Sequence, residues 1–308
     1  MKYSWFLGLI LILALTACGS GVPVNQEVQS TSPVPDSRSP EFPPDPADNT
    51  PDQDPPQTPE LISSTAATEE TSCLDEVGLI EAFSIPISRT QDEISGRIYT
   101  PPCYSVNLDQ NYPTLYLLHG ATETDQQWEE LGVDDLADTL ISRDELPPLI
   151  IIMPREDSWI PLPENLFGDH IIKDLIPWVD AHYRTLEDRE YRAIGGLSRG
   201  GNWAIRIGLL NWGLFETVGV HSAPLFYGDL ERVPDWYAAI PESKIPRIYI
   251  DIGQDDTDWA DAAAFENLLT ELGIPHTWHQ YPGMHEESYW HDHLDEYLLW
   301  YSSGWRAE

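Results

Sequence analysis

A short apolar strand that runs straight into Gly196-Leu197-Ser198-Arg199-Gly200 constrains this chain more than any other stretch. The strand begins at Tyr191, and residues 201–210 read as a helix, so Ser198 stands at a strand-to-helix turn. Glycines two positions to either side permit a tight, strained reversal that few other residues tolerate. Such a turn lifts a hydroxyl clear of the backbone, where a base can reach it; a serine at its own pKa is a poor nucleophile and needs that help. The helix that follows directs N–H groups unused by its own ladder back toward the turn. Ser198 is therefore the candidate nucleophile, and the chain must build a sheet whose strand ends meet helix starts.

The rest of the chain alternates in the same way. Period-two and short apolar runs predict strands over 79–87, 93–99, 114–118, 149–153, 191–194, 217–220, 247–252 and 276–281. Amphipathic stretches predict helices over 134–142, 169–183, 201–210, 258–272 and 286–301. No helix separates the first two strands, which should pair as an N-terminal antiparallel β-ribbon. After residue 114 the βαβ rhythm implies an α/β fold with a mostly parallel central sheet and helices on both faces. Ligands then gather at the carboxyl ends of the strands. His119-Gly120, Ser198, Asp255-Asp256 and His285 all fall there.

A serine nucleophile requires a base, an acid that orients the base, and donors for the oxyanion. Of nine histidines, His276, His279, His285, His291 and His293 follow Ser198 with room for an acid between; His221 precedes every candidate acid. His276 and His279 lie in the last strand pattern, and His291 and His293 on the terminal helix. His285 follows Tyr281-Pro282-Gly283-Met284, a loop signal that places it over the sheet end. For the acid, the run from Ile248 breaks at Gly253. Asp251, inside the run, reads as structural, whereas Asp255, Asp256 and Asp258 all follow the break, and residue chemistry does not rank them.

Residues 1–17 form a signal segment: Lys2 gives a positive start, Trp5 to Leu15 an apolar stretch, and Leu15-Thr16-Ala17-Cys18 the small residues of a cleavage site. The pattern resembles a bacterial lipobox, which implies acylation of Cys18 and a lipid-anchored, extracytoplasmic place in the cell envelope. The alternatives are an ordinary secretory signal cleaved nearby, or an uncleaved anchor. Residues 18–71 are rich in Pro, Ser, Thr and acids, cannot bury enough apolar surface to order themselves, and read as a disordered tether. Residues 72–308 form a single domain. The formal net charge of −36 disfavours a nucleic-acid partner. With Cys18 lipidated, Cys73 and Cys103 remain; an even pair in an exported protein predicts one disulfide, with two buried thiols as the alternative. No cysteine or histidine spacing suggests a metal, and no cofactor is expected.

Several segments together resemble a known group: Thr100-Pro101-Pro102-Cys103-Tyr104, the run from Tyr112 to His119-Gly120, Gly195 to Gly201, Asp251 to Asp256, and Pro282-Gly283-Met284-His285 with Trp290. They are similar to the esterase D type of α/β-hydrolases, which includes enterochelin esterase-like proteins, feruloyl and acetylxylan esterases, S-formylglutathione hydrolases and mycolyltransferases. The resemblance runs from about Val77 to Tyr301. It implies an α/β-hydrolase fold, a serine carboxylesterase activity through an acyl-enzyme, and Ser198, His285 and Asp256 as nucleophile, base and acid. It also implies an oxyanion hole at the backbone N–H groups of Ala121 and Arg199, with His119 shaping its loop. Cys103 stands where the group often has glycine, a departure that fits the disulfide.

Trp128, Trp159, Phe167, Phe226, Trp236 and Tyr237 lie in connections where this fold builds pockets, and Trp128, Phe226 and Trp236 are the candidate substrate contacts. The expected substrate is a small-molecule or carbohydrate-linked ester. Two other functions share these features: an acyltransferase using the same triad, and a noncatalytic binding protein on an inherited hydrolase fold. The acyl group, the alcohol and the oligomeric state are not legible.

Overall fold

The computed structural model describes residues 77–88, 92–156, 160, 162 and 164–305. The signal segment, the tether, Cys18, Cys73 and Trp159 lie outside the described residues. The strands are β1 (Leu79–Pro86), β2 (Glu93–Thr100), β3 (Thr114–Leu118), β4 (Ile150–Pro154), β5 (Arg192–Leu197), β6 (Thr217–His221), β7 (Arg247–Gly253) and β8 (Thr277–Tyr281). The helices are α1 (Gln127–Glu130), α2 (Val133–Ser142), α3 (Phe167–His170), α4 (Ile176–His182), α5 (Arg199–Leu210), α6 (Val233–Ala238), α7 (Trp259–Glu271), α8 (Glu287–Asp292) and α9 (Leu294–Ser302).

The strands form one sheet in the order β1-β2-β4-β3-β5-β6-β7-β8. β1 and β2 make the expected antiparallel ribbon, and β2 joins it to β4, again antiparallel. From β4 to β8 every neighbour pair is parallel. Parallel strands need crossovers, which cover both faces, so the central strands are buried on both sides: β3, β4, β5 and β6 contain no exposed residue. Alternation along each strand then builds two cores. Tyr116 and Leu118 join Ile150, Ile152, Ile194 and Val218 under α4, α5 and α7. Leu115 and Leu117 join Ile151, Met153 and Ala193 under α2, α8 and α9.

The second core holds a buried polar knot. Asp251 on β7 accepts the His221 Nδ1–H at 2.7 Å and the hydroxyls of Tyr289 and Tyr297 at 2.8 and 2.7 Å, while the Tyr301 hydroxyl lies 2.8 Å from His221 Nε2. Burial and the Asp251 charge push the Tyr297 and Tyr301 hydroxyls well above their usual pKa, so both stay protonated. Tyr301 reaches the sheet because Gly195 and Gly219 leave its ring tip the space a Cβ would fill. The structural reading of Asp251 agrees with this knot, which pins the C-terminal helices to the strands that carry the site.

Two helical predictions change in detail. The stretch predicted over 169–183 is α3 and α4 joined by a π-helical turn, Ile171–Leu175. Pro177 stands second in α4, just past this turn; lacking an N–H and crowding the preceding carbonyls, it makes the helix widen there without ending it. The helix predicted over 286–301 is divided at His293, whose ring stacks on Tyr281 with centroids 4.2 Å apart. α1 and α6 are too short to leave a periodic signal.

Candidate active site

Ser198 occupies the turn between β5 and α5 with φ 51° and ψ −119°, a conformation that L-residues adopt only under constraint. Space enforces it: a Cβ on Gly196 would run into the backbone of Gly200, and one on Gly200 into the carbonyl of Leu118 at the end of β3. The Ser198 N–H donates to the His221 carbonyl at 2.8 Å, which ties the turn to the neighbouring strand end.

The loops after β7 and β8 deliver the other two groups. They are laced together, Gln254 N–H donating to the Tyr281 carbonyl and Asp255 N–H to the Gly283 carbonyl. His285 Nε2 lies 3.0 Å from Ser198 Oγ, and His285 Nδ1 lies 3.0 and 3.1 Å from the two carboxylate oxygens of Asp256. The Asp256 side chain is fully buried, while a quarter of the His285 side chain faces solvent. Asp256 Oδ1 also accepts the Asp258 N–H at 2.8 Å, which fixes the carboxylate. Asp255 is exposed, and the Asp258 carboxylate stops 3.8 Å from Nδ1. Of the three acids that residue chemistry leaves open, geometry brings Asp256, the one the resemblance implies, to the histidine.

The hydrogen bond that His285 donates to Asp256 is the largest influence on His285 and raises its pKa above the usual imidazole value; burial opposes it, and the charges of Asp256 and Asp258 reinforce it. Burial holds the Asp258 carboxyl above its usual range. Trp290 meets the His285 ring edge-on at 5.2 Å and limits its swing.

The proposed oxyanion donors flank the serine. Ala121 and Ser198 line one cleft of about 550 Å³, together with Gly120, Thr122, Gln127 and Leu197. Arg199 is the first residue of α5, so its N–H points out of the helix N-terminus beside Ser198. His119 is occupied on both ring nitrogens: Nδ1–H donates to the Gly120 carbonyl at 2.8 Å, and Nε2 accepts the Glu156 N–H at 2.9 Å. Burial lowers its pKa. It shapes its loop, as expected.

The aromatic expectations need correction. Trp128 is 1% exposed and sits in the core beneath the sheet, its Nε1–H donating to the Leu118 carbonyl at 3.1 Å. It does not line the cleft, because its position on α1 turns the indole inward. Phe226 and Trp236 are half-buried and also lie off the cleft wall. Phe226 packs on Trp203 and under the Arg199 guanidinium, and Trp236 stands beneath that of Arg206. Phe167 is a core residue against Trp203, and Tyr237 faces a separate cavity with Arg247 and Trp300. Cys103 is disulfide-bonded, and its expected partner Cys73 lies outside the described residues.

Sequence reading missed three residues that organise the site. Gln127 is buried and accepts the Gly120 N–H at 2.8 Å. His221 supplies the carbonyl under Ser198. Glu156, just past β4, binds the Arg199 side chain. None carries a local motif: Gln127 reaches back from α1 to a residue seven positions earlier, and His221 and Glu156 act across the ends of neighbouring strands. Asp256, Asp258 and His285 also group closely enough to hold a cation, but His285 Nδ1 already serves Asp256 there. Among the described residues no helix is long and apolar enough to cross a membrane.

Comparison with known proteins points the same way. Residues 87–301 match the family described as putative esterase. An esterase of Mycobacterium tuberculosis is 26% identical over 228 residues, covering 57% of this chain and 49% of the relative. The chain thus spans about half the length of the mycobacterial relatives it matches. A solved ferulic acid esterase superposes with a TM-score of 0.67 at 22% identity, covering 75% of this chain and 99% of that one. S-formylglutathione hydrolase from Staphylococcus aureus gives 0.58 at 17% identity, covering 73% and 99%. The likeness to these solved enzymes is one of fold, the mostly parallel α/β-hydrolase sheet.

Proposed function

The chain belongs to the putative esterase family, and on that premise we propose that it is a serine carboxylesterase acting on uncharged acyl esters through Ser198, His285 and Asp256. The observation that carries this reading is the unbroken hydrogen-bond chain from Ser198 Oγ through His285 to buried Asp256 at the floor of an open cleft.

In the proposed reaction His285 Nε2 takes the Ser198 proton as Oγ attacks the ester carbonyl carbon. Asp256 holds the Nδ1–H and stabilises the imidazolium. The carbonyl oxygen becomes an oxyanion facing the N–H groups of Ala121 and Arg199; one such donor is worth about 3–4 kcal/mol at the transition state. Collapse of the tetrahedral intermediate breaks the bond to the alkoxy oxygen, which leaves as the alcohol with the proton from His285. Water, deprotonated by the same nitrogen, then releases the acid and restores Ser198.

Charge narrows the substrate. The cleft lining includes Glu123, Glu286 and Glu287 and no lysine or arginine side chain among the described residues. A carboxylate-bearing ester or thioester, such as a glutathione conjugate, would meet repulsion there, whereas a phenolic or carbohydrate-linked ester would not. Anchorage through an acylated Cys18, with residues 18–71 as a tether for the domain at 72–308, belongs to the same proposal and rests on the sequence pattern.

The test is a panel of esters varied in acyl length and leaving group, assayed with water alone and with added alcohol or sugar acceptors. Release of free acid as the dominant product supports the esterase. Dominant transfer to the acceptor would make the protein an acyltransferase, and no turnover by folded protein would favour a binding role.

A further inference from the structure

We propose that Glu156 is a positioning residue that couples the two arms of the oxyanion hole, setting the distance between the Ala121 and Arg199 N–H groups. The proposal rests on the esterase reading above.

Sheet order gives the reason. β4, β3 and β5 are consecutive neighbours, and their carboxyl ends carry Glu156, His119-Gly120-Ala121 and Ser198-Arg199 in turn. Glu156, past the end of β4, reaches both of the others.

Its backbone serves the nearer arm. The Glu156 N–H donates to His119 Nε2 at 2.9 Å, which leaves the ring proton on Nδ1 to donate to the Gly120 carbonyl at 2.8 Å. That carbonyl and the Ala121 N–H belong to one planar trans peptide, so they point in opposite directions. Holding the carbonyl on His119 turns the Ala121 N–H the other way, and Ala121 lines the cleft. A rotated peptide would present the carbonyl oxygen to a developing oxyanion, which is repulsive.

Its side chain serves the far arm. Glu156 Oε2 accepts Arg199 Nε–H at 2.7 Å and Oε1 accepts an Nη2–H at 2.6 Å, a two-pronged pairing that fixes the guanidinium in the carboxylate plane. The same carboxylate accepts Trp203 Nε1–H at 3.0 Å and Asn165 Nδ2–H at 2.7 Å. Four donors on two oxygens, with the side chain only 5% exposed, leave it no freedom to move. Arg199 follows Ser198 directly, so anchoring its side chain at the first turn of α5 fixes the peptide whose N–H faces the oxyanion. The Glu156 and Arg199 side chains are not part of the cleft lining; Glu156 acts through His119 and Arg199.

The experiment compares wild type, Glu156→Gln, Arg199→Met and the double variant on p-nitrophenyl acetate, together with inhibition by a boronic acid that forms a tetrahedral adduct with the serine. Displacement of an oxyanion donor predicts a fall in kcat of about 10²-fold for Glu156→Gln with KM little changed. Boronate affinity should weaken in step, and the double variant should lose no more than the worse single one, because both remove one bridge. A merely structural ion pair would lower Tm while leaving kcat per folded molecule and boronate affinity at wild-type values, and that result overturns the proposal. Should Glu156→Gln fail to fold, Arg199→Lys keeps the charge pair but loses the fork, and the same fall in kcat and boronate affinity is expected. Failure of the underlying reading would look different: wild type itself would lack turnover, or Ser198→Ala would retain it.

Discussion

Replacing Asp256 by asparagine removes one negative charge while keeping the side chain's shape and an oxygen that can still accept from His285. What is lost is stabilisation of the imidazolium that forms as Ser198 gives up its proton. The carboxylate lies 3.0 Å from Nδ1. At an effective dielectric of about 20, a pair at that separation interacts by roughly 5 kcal/mol, an upper limit because part of the His285 side chain faces water. At about 1.4 kcal/mol per decade, kcat should fall by about 10³ to 10⁴-fold. Asp258 is the internal control. Its carboxylate is 3.8 Å from the same nitrogen and a third exposed, so solvent screening leaves its contribution below about 1 kcal/mol and Asp258→Asn should cost less than about tenfold. The pH profile carries a second sign. His285 must be neutral to act as base, so kcat/KM rises as pH climbs through its pKa, which the Asp256 hydrogen bond raises. In Asp256→Asn that support is gone and burial still lowers the pKa, so the acid limb should move to lower pH even as the plateau drops. The assay is initial-rate hydrolysis of p-nitrophenyl acetate across pH for both variants. An equal or larger loss at Asp258, or an acid limb that stays put or moves up in Asp256→Asn, would refute the assignment.

Ser198→Ala should abolish turnover with circular dichroism unchanged, whereas Ser198→Gly should be equally inactive yet more stable than Ser198→Ala. The turn sits at φ 51°, and relieving about 1 kcal/mol or more of strain raises Tm by roughly 2–4 °C per kcal/mol, measured by thermal melts. Mono-p-nitrophenyl succinate should be a poorer substrate than p-nitrophenyl butyrate, and the gap should narrow with added salt and in the double variant Glu286→Gln, Glu287→Gln; a gap indifferent to both would remove the electrostatic account of the cleft. Cys18→Ser should block lipid attachment and leave a longer precursor, read by membrane fractionation and N-terminal mass spectrometry. A wild-type protein found wholly soluble with another mature N-terminus would replace anchoring with secretion.

Much of this molecule is legible in its sequence because the elements that matter are local. The glycines around Ser198 encode the turn by the room they leave, and the break at Gly253 and the loop before His285 place two more groups at strand ends. Helix and strand boundaries fall close to the periodic runs for the same reason. Trp128 shows where local reading stops. A tryptophan in a connection reads alike whether it faces a cleft or the core, and only the packed fold shows its indole hydrogen-bonded to Leu118. Glu156 is the stronger case. A single acid after a strand carries no signal, and its role exists only once three strand ends are brought side by side. Among Asp255, Asp256 and Asp258 residue chemistry alone does not choose; the resemblance points to Asp256, and it is this carboxylate that the laced loops bury against His285.

The central claim is that Ser198 is activated by His285 and Asp256 in this cleft, and mass spectrometry of a fluorophosphonate adduct tests it most directly. Treated with the probe and digested, the wild-type protein should carry the adduct on the peptide containing Ser198. Labelling should vanish in Ser198→Ala and slow sharply in His285→Ala. Folded wild-type protein that takes no label, or takes it on another serine, would contradict the account.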